Sequence, residues 1–245
     1  MTTEMKQELD WRKARGAGVR IALIDSGVNP QHSHVGGIAG GVGFSVNADR
    51  VVQRHADFGD RIGHGTALAG ILKAKAPQAE LYAVKIFTDR LQVSFPVLDQ
   101  ALQWAITERM HIINLSLGTT NSQHRDRLTV LVAEAREAGT MIVASAPAGQ
   151  SAVFPAVLPG VIGVADDDRC SWAQYRYVAH APIPFRAHPS PRPLPGPAQA
   201  HNFRGPSFAS AHVSALLALL LEMHPGVTGD DARALLIKVI QGMEA

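Results

Sequence analysis

Short apolar runs that alternate with helical segments constrain the fold of this chain more than any other feature. The runs at residues 19–24, 81–87, 111–117, 141–144 and 161–165 are apolar without polar alternation. Such runs are typical of parallel strands that are covered on both faces. Apolar positions at helical spacing predict helices over residues 96–108 and 127–138. The order predicts an α/β fold with a doubly wound, mostly parallel sheet and helices on both faces.

The last third of the chain has a different pattern. Residues 181–197 hold seven of the 15 prolines, and residues 207–223 and 228–240 are predicted to be helices. The proline-rich segment is interpreted as a stiff surface loop, with a polyproline segment that docks a partner as the alternative. We expect one domain over residues 19–245, preceded by an N-terminal extension of residues 1–18.

Composition excludes several classes of protein. The 23 basic and 21 acidic residues give a net charge of +2, so the basic excess of a nucleic-acid-binding protein is missing. We find no uninterrupted apolar run of about 20 residues and therefore expect no membrane span. The polar N-terminus lacks the apolar segment of a signal peptide, which favours a cytoplasmic location. Cys170 is the single cysteine; a reactive thiol there is the less favoured reading, because no basic cluster or helix start adjoins it.

Three short segments carry residue types that are used in catalysis. Asp25 ends a predicted buried strand, where α/β folds place functional groups. His64 lies between glycines at the start of a helical stretch, and it could act as a general base if a carboxylate holds its other ring nitrogen. Ser207 opens an apolar helix, either as a plain N-cap or as a nucleophile whose own N–H stabilises an oxyanion. Each segment alone also fits an ordinary turn or cap.

Together the three segments resemble the subtilisin family of serine proteases. The family signatures D-S/T-G, H-G-T-x-x-A-G and G-T-S-M-A-x-P-H-V are similar to residues 25–27, 64–70 and 205–213. The order Asp, His, Ser is also that of subtilisin. Residues 113–118 resemble the family's substrate-binding strand, and residues 154–164 resemble the segment that leads into a later core strand.

The resemblance covers roughly residues 19–240 and implies a subtilisin-like fold and a role for each motif residue. Ser207 would be the nucleophile, His64 the general base and acid, and Asp25 the carboxylate that orients His64. The expected substrate-binding residues are Ser116, Leu117 and Gly118, which would pair with an extended peptide, and Ser145, Ala146 and Pro147, which would wall the pocket with Leu117. The implied activity is that of an endopeptidase acting through an acyl-enzyme on a peptide or protein. An esterase or peptide ligase on the same triad stays open.

One departure from the family concerns the oxyanion donor. In the family an alanine-rich strand ends in Gly-Asn, and the asparagine donates to the oxyanion, whereas Pro147 and Ala148 occupy those positions here. Loss of one such donor costs about 10²- to 10³-fold in kcat. Three alternatives follow: a slow enzyme, an oxyanion site in which Gln150 joins the N–H of Ser207, or a pseudoprotease that binds peptides without cutting them.

A second departure concerns processing. Because Asp25 lies close to residue 1, we expect no long propeptide of the kind with which secreted relatives fold, and an unrestrained protease would harm a cytoplasm. We therefore expect low intrinsic activity or dependence on a docking partner. These features resemble the small intracellular subtilisin-type proteases of peptide maturation. One such setting is leader removal from the crosslinked small subunit of quinohemoprotein amine dehydrogenase.

The sequence predicts no cofactor and no metal site. Calcium is considered because relatives often bind it. The candidate ligands are the triplet Asp166, Asp167 and Asp168, together with Asp57 and Asp60 near His64. Calcium requires six to eight converging oxygens, so a solvated acidic turn is the favoured interpretation. The histidines match no zinc-binding spacing.

Overall fold

The computed structural model describes residues 11–244, which form one sheet flanked by helices. The strands are β1 (Arg20–Asp25), β2 (Gly40–Val46), β3 (Val52–His55), β4 (Glu80–Lys85), β5 (Ile112–Leu115), β6 (Met141–Ser145), β7 (Ile162–Asp166), β8 (Tyr175–Tyr177) and β9 (Phe185–Ala187). The α-helices are α1 (His64–Lys75), α2 (Phe95–Thr107), α3 (Arg125–Glu137), α4 (Pro206–Met223) and α5 (Gly229–Glu244).

The sheet is parallel except at its two edges. Its strand order is β3-β2-β4-β1-β5-β6-β7-β9-β8. Among the described strands, only two neighbouring pairs are antiparallel: β3 with β2, and β8 with β9. Strands β5 and β6 are buried along their whole length, which explains their continuous apolar runs. The observed architecture confirms the predicted α/β class.

Two helical layers cover the sheet. Helices α1, α4 and α5 contribute to the hydrophobic core on one face, and α2 and α3 contribute to the core on the other face. Helix α4 contacts α1, α5 and the strands β5, β6, β7 and β9. By length and composition alone α4 could span a membrane, but most of it is buried within this fold.

The proline-rich segment 181–197 is only partly a surface loop, so that expectation was wrong for its first half. Strand β9 lies within it and pairs with β7 and β8, and Ile183 and Ser190 are also fully buried. The prolines at 184 and 189 lie outside the three strand residues, so they remove no hydrogen bond from the ladder. Residues 192–201 remain mostly exposed, and their docking to a partner stays a prediction.

The described part of the predicted N-terminal extension packs against α4. Residues 1–10 lie outside the described residues. Beyond them, Ala14 is buried, and the Glu222 carboxylate of α4 accepts hydrogen bonds from the N–H groups of Arg15, Gly16 and Ala17 at 2.6, 2.5 and 3.1 Å. Residues 15–17 are thus held to the central helix, and the boundary at residue 19 stays a prediction.

Candidate active site

Asp25 and His64 form a direct hydrogen bond at the carboxyl edge of the sheet. Asp25 is the last residue of β1 and is fully buried, and His64 is the first residue of α1. The Nδ1 atom of His64 lies 2.8 Å from Oδ1 of Asp25. Because a carboxylate accepts, Nδ1 is the donor, which leaves Nε2 unprotonated in the neutral imidazole. The predicted base and its orienting carboxylate are therefore paired.

The glycine after His64 is required by close packing. A Cβ atom at Gly65 would collide with the carbonyl oxygen of Gly27 and lie 3.2 Å from Oδ1 of Asp25. The N–H of Gly65 also donates to Oγ of Ser26 at 2.9 Å. Only glycine lets the start of α1 approach the end of β1 this closely, which gives a physical reason for the glycine in the histidine motif.

Asp60 anchors the loop that presents His64, a role that the sequence analysis missed. Its carboxylate accepts hydrogen bonds from Ser26 Oγ, from the N–H groups of Ile62, Gly63 and Thr66, and from Thr66 Oγ1. Burial opposes its ionisation, but the hydrogen bonds from Thr66 and Gly63 outweigh burial and lower the pKa of Asp60. The available signal was an acidic residue four positions before a helix-opening histidine.

Ser207 reaches the same edge from the opposite end of the chain. It lies in the first turn of α4, two residues after Gly205, whose φ of 138° favours glycine. Its Oγ donates to the carbonyl oxygen of Ser116 at 3.1 Å. The ring of the next residue, Phe208, lies 5.1 Å from the His64 imidazole between centroids. Within residues 11–244, no hydrogen bond joins Ser207 to His64.

A buried hydrogen-bond chain fixes α4 against the predicted substrate strand. Ser214 of α4 donates to Asn114 Oδ1 at 2.9 Å, and Asn114 Nδ2 donates to Ser116 Oγ at 2.9 Å. Ser210 Oγ donates to the carbonyl of Ser207 at 2.7 Å. Because buried polar groups are costly when unpaired, the bonds through Asn114 tie α4, which carries Ser207, to the segment that contains Ser116.

The predicted substrate strand lies next to the predicted pocket wall. After β5, Ser116 is buried, Leu117 is half-buried and Gly118 is exposed. A Cβ atom at Gly118 would lie 3.6 Å from the carbonyl oxygen of Ser145 and 2.5 Å from a methyl of Val153. The structure thus places Gly118 beside Ser145 and adds Val153, which the sequence analysis did not name.

The remaining predicted pocket residues lie beyond β6. Ala146 is buried and its N–H donates to Val164 O at 2.9 Å, whereas Pro147 is exposed. Gln150 is exposed in the following turn, and its N–H donates to Pro147 O at 3.3 Å. Its side-chain amide has no hydrogen-bond partner among residues 11–244. The role of Gln150 as an oxyanion donor stays a prediction.

Three of the five acidic residues considered for calcium pair with cations. The hydrogen bond from the Arg169 side chain, with further bonds that include one from Arg176, outweighs burial and lowers the pKa of Asp167 to about 2. Asp168 pairs with Arg204, and Asp57 pairs with Lys85. Over residues 11–244, no three His, Cys, Asp or Glu side chains converge to hold a metal ion. Cys170 is buried, in agreement with the structural interpretation of its thiol.

Two cavities flank the site on opposite faces of the sheet. The Leu117 cavity, of about 420 Å³, is lined by Leu117, Gly118 and residues around the start of α2, such as Phe95. The His34 cavity, of about 640 Å³, is lined by the loop after β1, the start of α1 and the exposed part of the proline-rich segment. Gly63, which precedes His64, lines the His34 cavity.

Comparisons with known proteins identify the family. The family model described as Peptidase_S8, the subtilase family, matches residues 16–243. A thermostable alkaline protease of Halalkalibacterium halodurans is 30% identical over 89% of this chain and 61% of its own length. Alkaline elastase YaB of Bacillus sp. is 32% identical over 86% of this chain and 56% of its own length. The chain thus spans less than two thirds of these relatives.

Solved structures share the fold. A cold adapted subtilisin-like serine proteinase superposes with a TM-score of 0.70 at 21% identity, over 92% of this chain and 83% of its own. A lanthipeptide protease superposes with a TM-score of 0.67 at 17% identity, over 91% of this chain and 79% of its own. Since the family model spans nearly all of the described chain and the fold is that of a subtilisin, this chain belongs to the subtilase family.

Proposed function

We propose that this protein is a serine endopeptidase in which Asp25, His64 and Ser207 form the catalytic triad. The observation that carries the proposal is the 2.8 Å bond between Asp25 and His64, made at the sheet edge that Ser207 also reaches. A buried carboxylate on Nδ1 holds the imidazole in the tautomer that a general base needs, and it stabilises the imidazolium once a proton arrives.

The first step is a rotation of the Ser207 hydroxyl. At rest it donates to the carbonyl of Ser116. A substrate that adds as a strand along residues 116–118 brings a peptide N–H that competes for this carbonyl. We expect the freed hydroxyl to turn to Nε2 of His64 by a change between staggered rotamers. Substrate binding and alignment of the nucleophile are thereby coupled.

Acyl transfer then follows the usual serine protease sequence. Ser207 Oγ forms a bond to the substrate carbonyl carbon while His64 takes its proton, and the tetrahedral intermediate places its charge on the former carbonyl oxygen. The C–N bond breaks as His64 returns the proton to the leaving amine, and water releases the acyl group by the reverse transfers. The N–H of Ser207, in the first turn of α4, is one oxyanion donor, and the exposed amide of Gln150 is the candidate for the second.

The cellular role that we favour is slow, dedicated processing in the cytoplasm, such as leader or pro-peptide removal of the maturation type. Its supports are the Pro147-Ala148 sequence in place of an asparagine donor and the resting bond of Ser207 to Ser116. Both features lower turnover of unselected peptides. Incubation with peptides encoded beside its gene, with cuts read by mass, tests this role; cuts only in unrelated peptides would contradict it.

A second candidate function is a peptide-binding module that does not cut. It is favoured by the same two features, since Ser207 has no hydrogen bond to His64 in the described chain. This candidate requires that the hydroxyl remains on Ser116 when a peptide is bound, so that the adjacent strand binds peptide without reaction.

A fluorophosphonate probe separates the two candidates. An endopeptidase labels at Ser207 between about pH 6 and 9, because His64 activates the hydroxyl, and Ser207→Ala abolishes the label. A binding module gives no label at any of these pH values, although it binds peptide. Ser122→Ala, at an exposed serine that has no role in the proposed site, serves as the matched serine control, and labelling persists in it.

A further inference from the structure

The His34 cavity adjoins the catalytic histidine. Gly63 precedes His64 in the chain, and the Phe203 ring lies 6.0 Å from the imidazole centroid, edge-on. Both residues line the cavity, together with Arg61 and Arg192. A ligand in this cavity therefore contacts residues that directly adjoin His64.

The cavity lining combines exposed cations with acceptor groups that are already hydrogen-bonded within the chain. Arg61 and Arg192 are both exposed. The carboxylate in the lining, that of Asp60, accepts five hydrogen bonds from the chain itself. The side-chain oxygen of Asn29 accepts from the N–H of Gln31 at 3.1 Å. The cavity is thus better supplied with donors than with acceptors for an incoming group.

The two histidines of the lining add further donors. Arg192 donates to Nε2 of His34, so that nitrogen carries no proton and Nδ1 does. The backbone N–H of His34 donates to Nδ1 of His32 at 3.3 Å, so Nδ1 of His32 is an acceptor and its Nε2 carries the proton. Burial, followed by the charges of Arg192 and His32, lowers the pKa of His34. Even uncharged, each imidazole therefore presents an N–H.

The position of the cavity assigns it to one half of the substrate. The acyl half follows residues 116–118 toward the Leu117 cavity, which shares no lining residue with the His34 cavity. His64 returns its proton to the leaving amine, so the leaving half extends on the His64 side. We propose that the His34 cavity binds a carboxylate side chain, Asp or Glu, within the first few residues after the scissile bond. Arg61 and Arg192 are its specificity determinants, and this inference rests on the proposed function.

Mapping of cleavage sites in a proteome-derived peptide library tests the proposal. We expect acidic residues at the first three positions after the cut to be enriched about tenfold over glutamine or asparagine, through KM more than kcat. The double variant Arg61→Gln/Arg192→Gln loses the enrichment. Arg136→Gln, an exposed arginine of α3 on the other face, keeps it. Cleavage without acidic enrichment overturns the inference while leaving the protease function intact.

A binding measurement keeps the inference testable if no cleavage is seen. Fluorescently labelled Ala-Glu-Glu-Ala amide with a free α-amine mimics the leaving half, and Ala-Gln-Gln-Ala amide is its neutral match. On Ser207→Ala protein at low salt, we expect the acidic peptide to bind at least fivefold more tightly, and the Arg61/Arg192 double variant to remove that difference. Equal binding of the two peptides overturns the inference whatever the catalytic result.

Discussion

The two halves of the proposed triad are held to very different degrees. Asp25 and His64 are buried and bonded at 2.8 Å, and Asp60 ties their loops together with five hydrogen bonds. Ser207 is half-buried, its backbone is fixed through Ser210, and its hydroxyl rests on a neighbouring carbonyl. The Asp25–His64 pair is thus formed at rest, whereas the Ser207 hydroxyl is bonded to Ser116 rather than to His64.

This difference teaches where control of the reaction lies. A hydrogen bond of the kind between Ser207 and Ser116 contributes about 1 kcal/mol net, and a change between staggered rotamers is cheap. Substrate contacts at Ser116 are therefore sufficient to align the hydroxyl. The base needs no such help, because its position is set by burial and by fixed hydrogen bonds.

The largest effects test whether the two halves act as one unit. We expect Ser207→Ala and His64→Ala each to lower kcat about 10⁵- to 10⁶-fold, and the double variant to be no worse. Asp25→Asn costs about 10⁴-fold, because it stabilises the wrong tautomer. Initial rates on any cleaved peptide measure these losses. A double variant far worse than either single one would show that the halves contribute independently.

A second comparison lies within α1, whose first turn holds His64 and whose last turn holds the half-buried Lys75. Lys75 Nζ donates to the carbonyl of Trp172 at 2.5 Å and to the Tyr175 hydroxyl at 2.9 Å. Both rings lie within 4.8 Å of this nitrogen and favour its charge, but burial prevails and lowers the pKa of Lys75 to about 7. Burial thus disfavours a charged Lys75 in the last turn of α1, the helix whose first residue is His64.

The pH dependence of stability follows from that lowered pKa. Between about pH 7 and 10 the unfolded chain binds more protons at this site than the folded one, so stability rises with pH by something on the order of 4 kcal/mol. We expect Lys75→Met to remove this slope, while Lys73→Met on the same helix retains it. Urea unfolding at several pH values gives the free energies. An unchanged slope in Lys75→Met would contradict the assignment.

The next test concerns the nucleophile side alone. If Gln150 is the second oxyanion donor, Gln150→Ala lowers kcat about 10²- to 10³-fold, roughly 3 kcal/mol, with little change in KM. Gln123→Ala, at another exposed glutamine, is the matched control and leaves kcat unchanged. An unaltered rate in Gln150→Ala would mean that Ser207 N–H acts without this partner.

The smallest expected effect tests the rigidity of the base side. In Asp60→Asn the amide NH₂ group faces N–H and O–H donors that now bond to the carboxylate, so some of these hydrogen bonds are lost. We expect a loss of about 2 kcal/mol in unfolding free energy at pH 7. Because the folded pKa of Asp60 is lowered, the stability that it contributes is present above its ordinary pKa near 4 and is lost as pH falls through the folded value.

Unfolding of wild type and Asp60→Asn between pH 7 and 3 measures this contribution. The gap between them closes toward low pH, whereas Asp49→Asn, in an exposed turn, produces no such gap. A gap that is constant with pH would assign the effect to packing rather than to the charge of Asp60.

Much of the central sheet and the placement of the motifs could be predicted from sequence. The apolar runs correspond to β1, β4, β5, β6 and β7, because strands covered on both faces need apolar residues at every position. Parallel strands end at one edge, so the end of β1 pointed to Asp25 as a functional residue. The serine motif likewise coincided with the start of α4.

The rest of the fold depended on weak local signals. Strand β2 begins with two glycines and three of the four residues of β3 are polar, so neither shows an apolar run. Strand β9 is three residues flanked by prolines. The direction of the Ser207 hydroxyl and the donors around Asp60 are properties of packed loops, which no local pattern encodes.

Helix α4 has a consequence for the newly synthesised chain. It packs on α1, on α5 and on four strands, and its first turn carries Ser207. The ribosome makes this hub after the nine strands of the described chain, so the emerging polypeptide holds Asp25 and His64 before it holds Ser207 and before the core can close. On the proposed triad, the growing chain therefore has no nucleophile with which to attack itself or its neighbours until α4 has emerged.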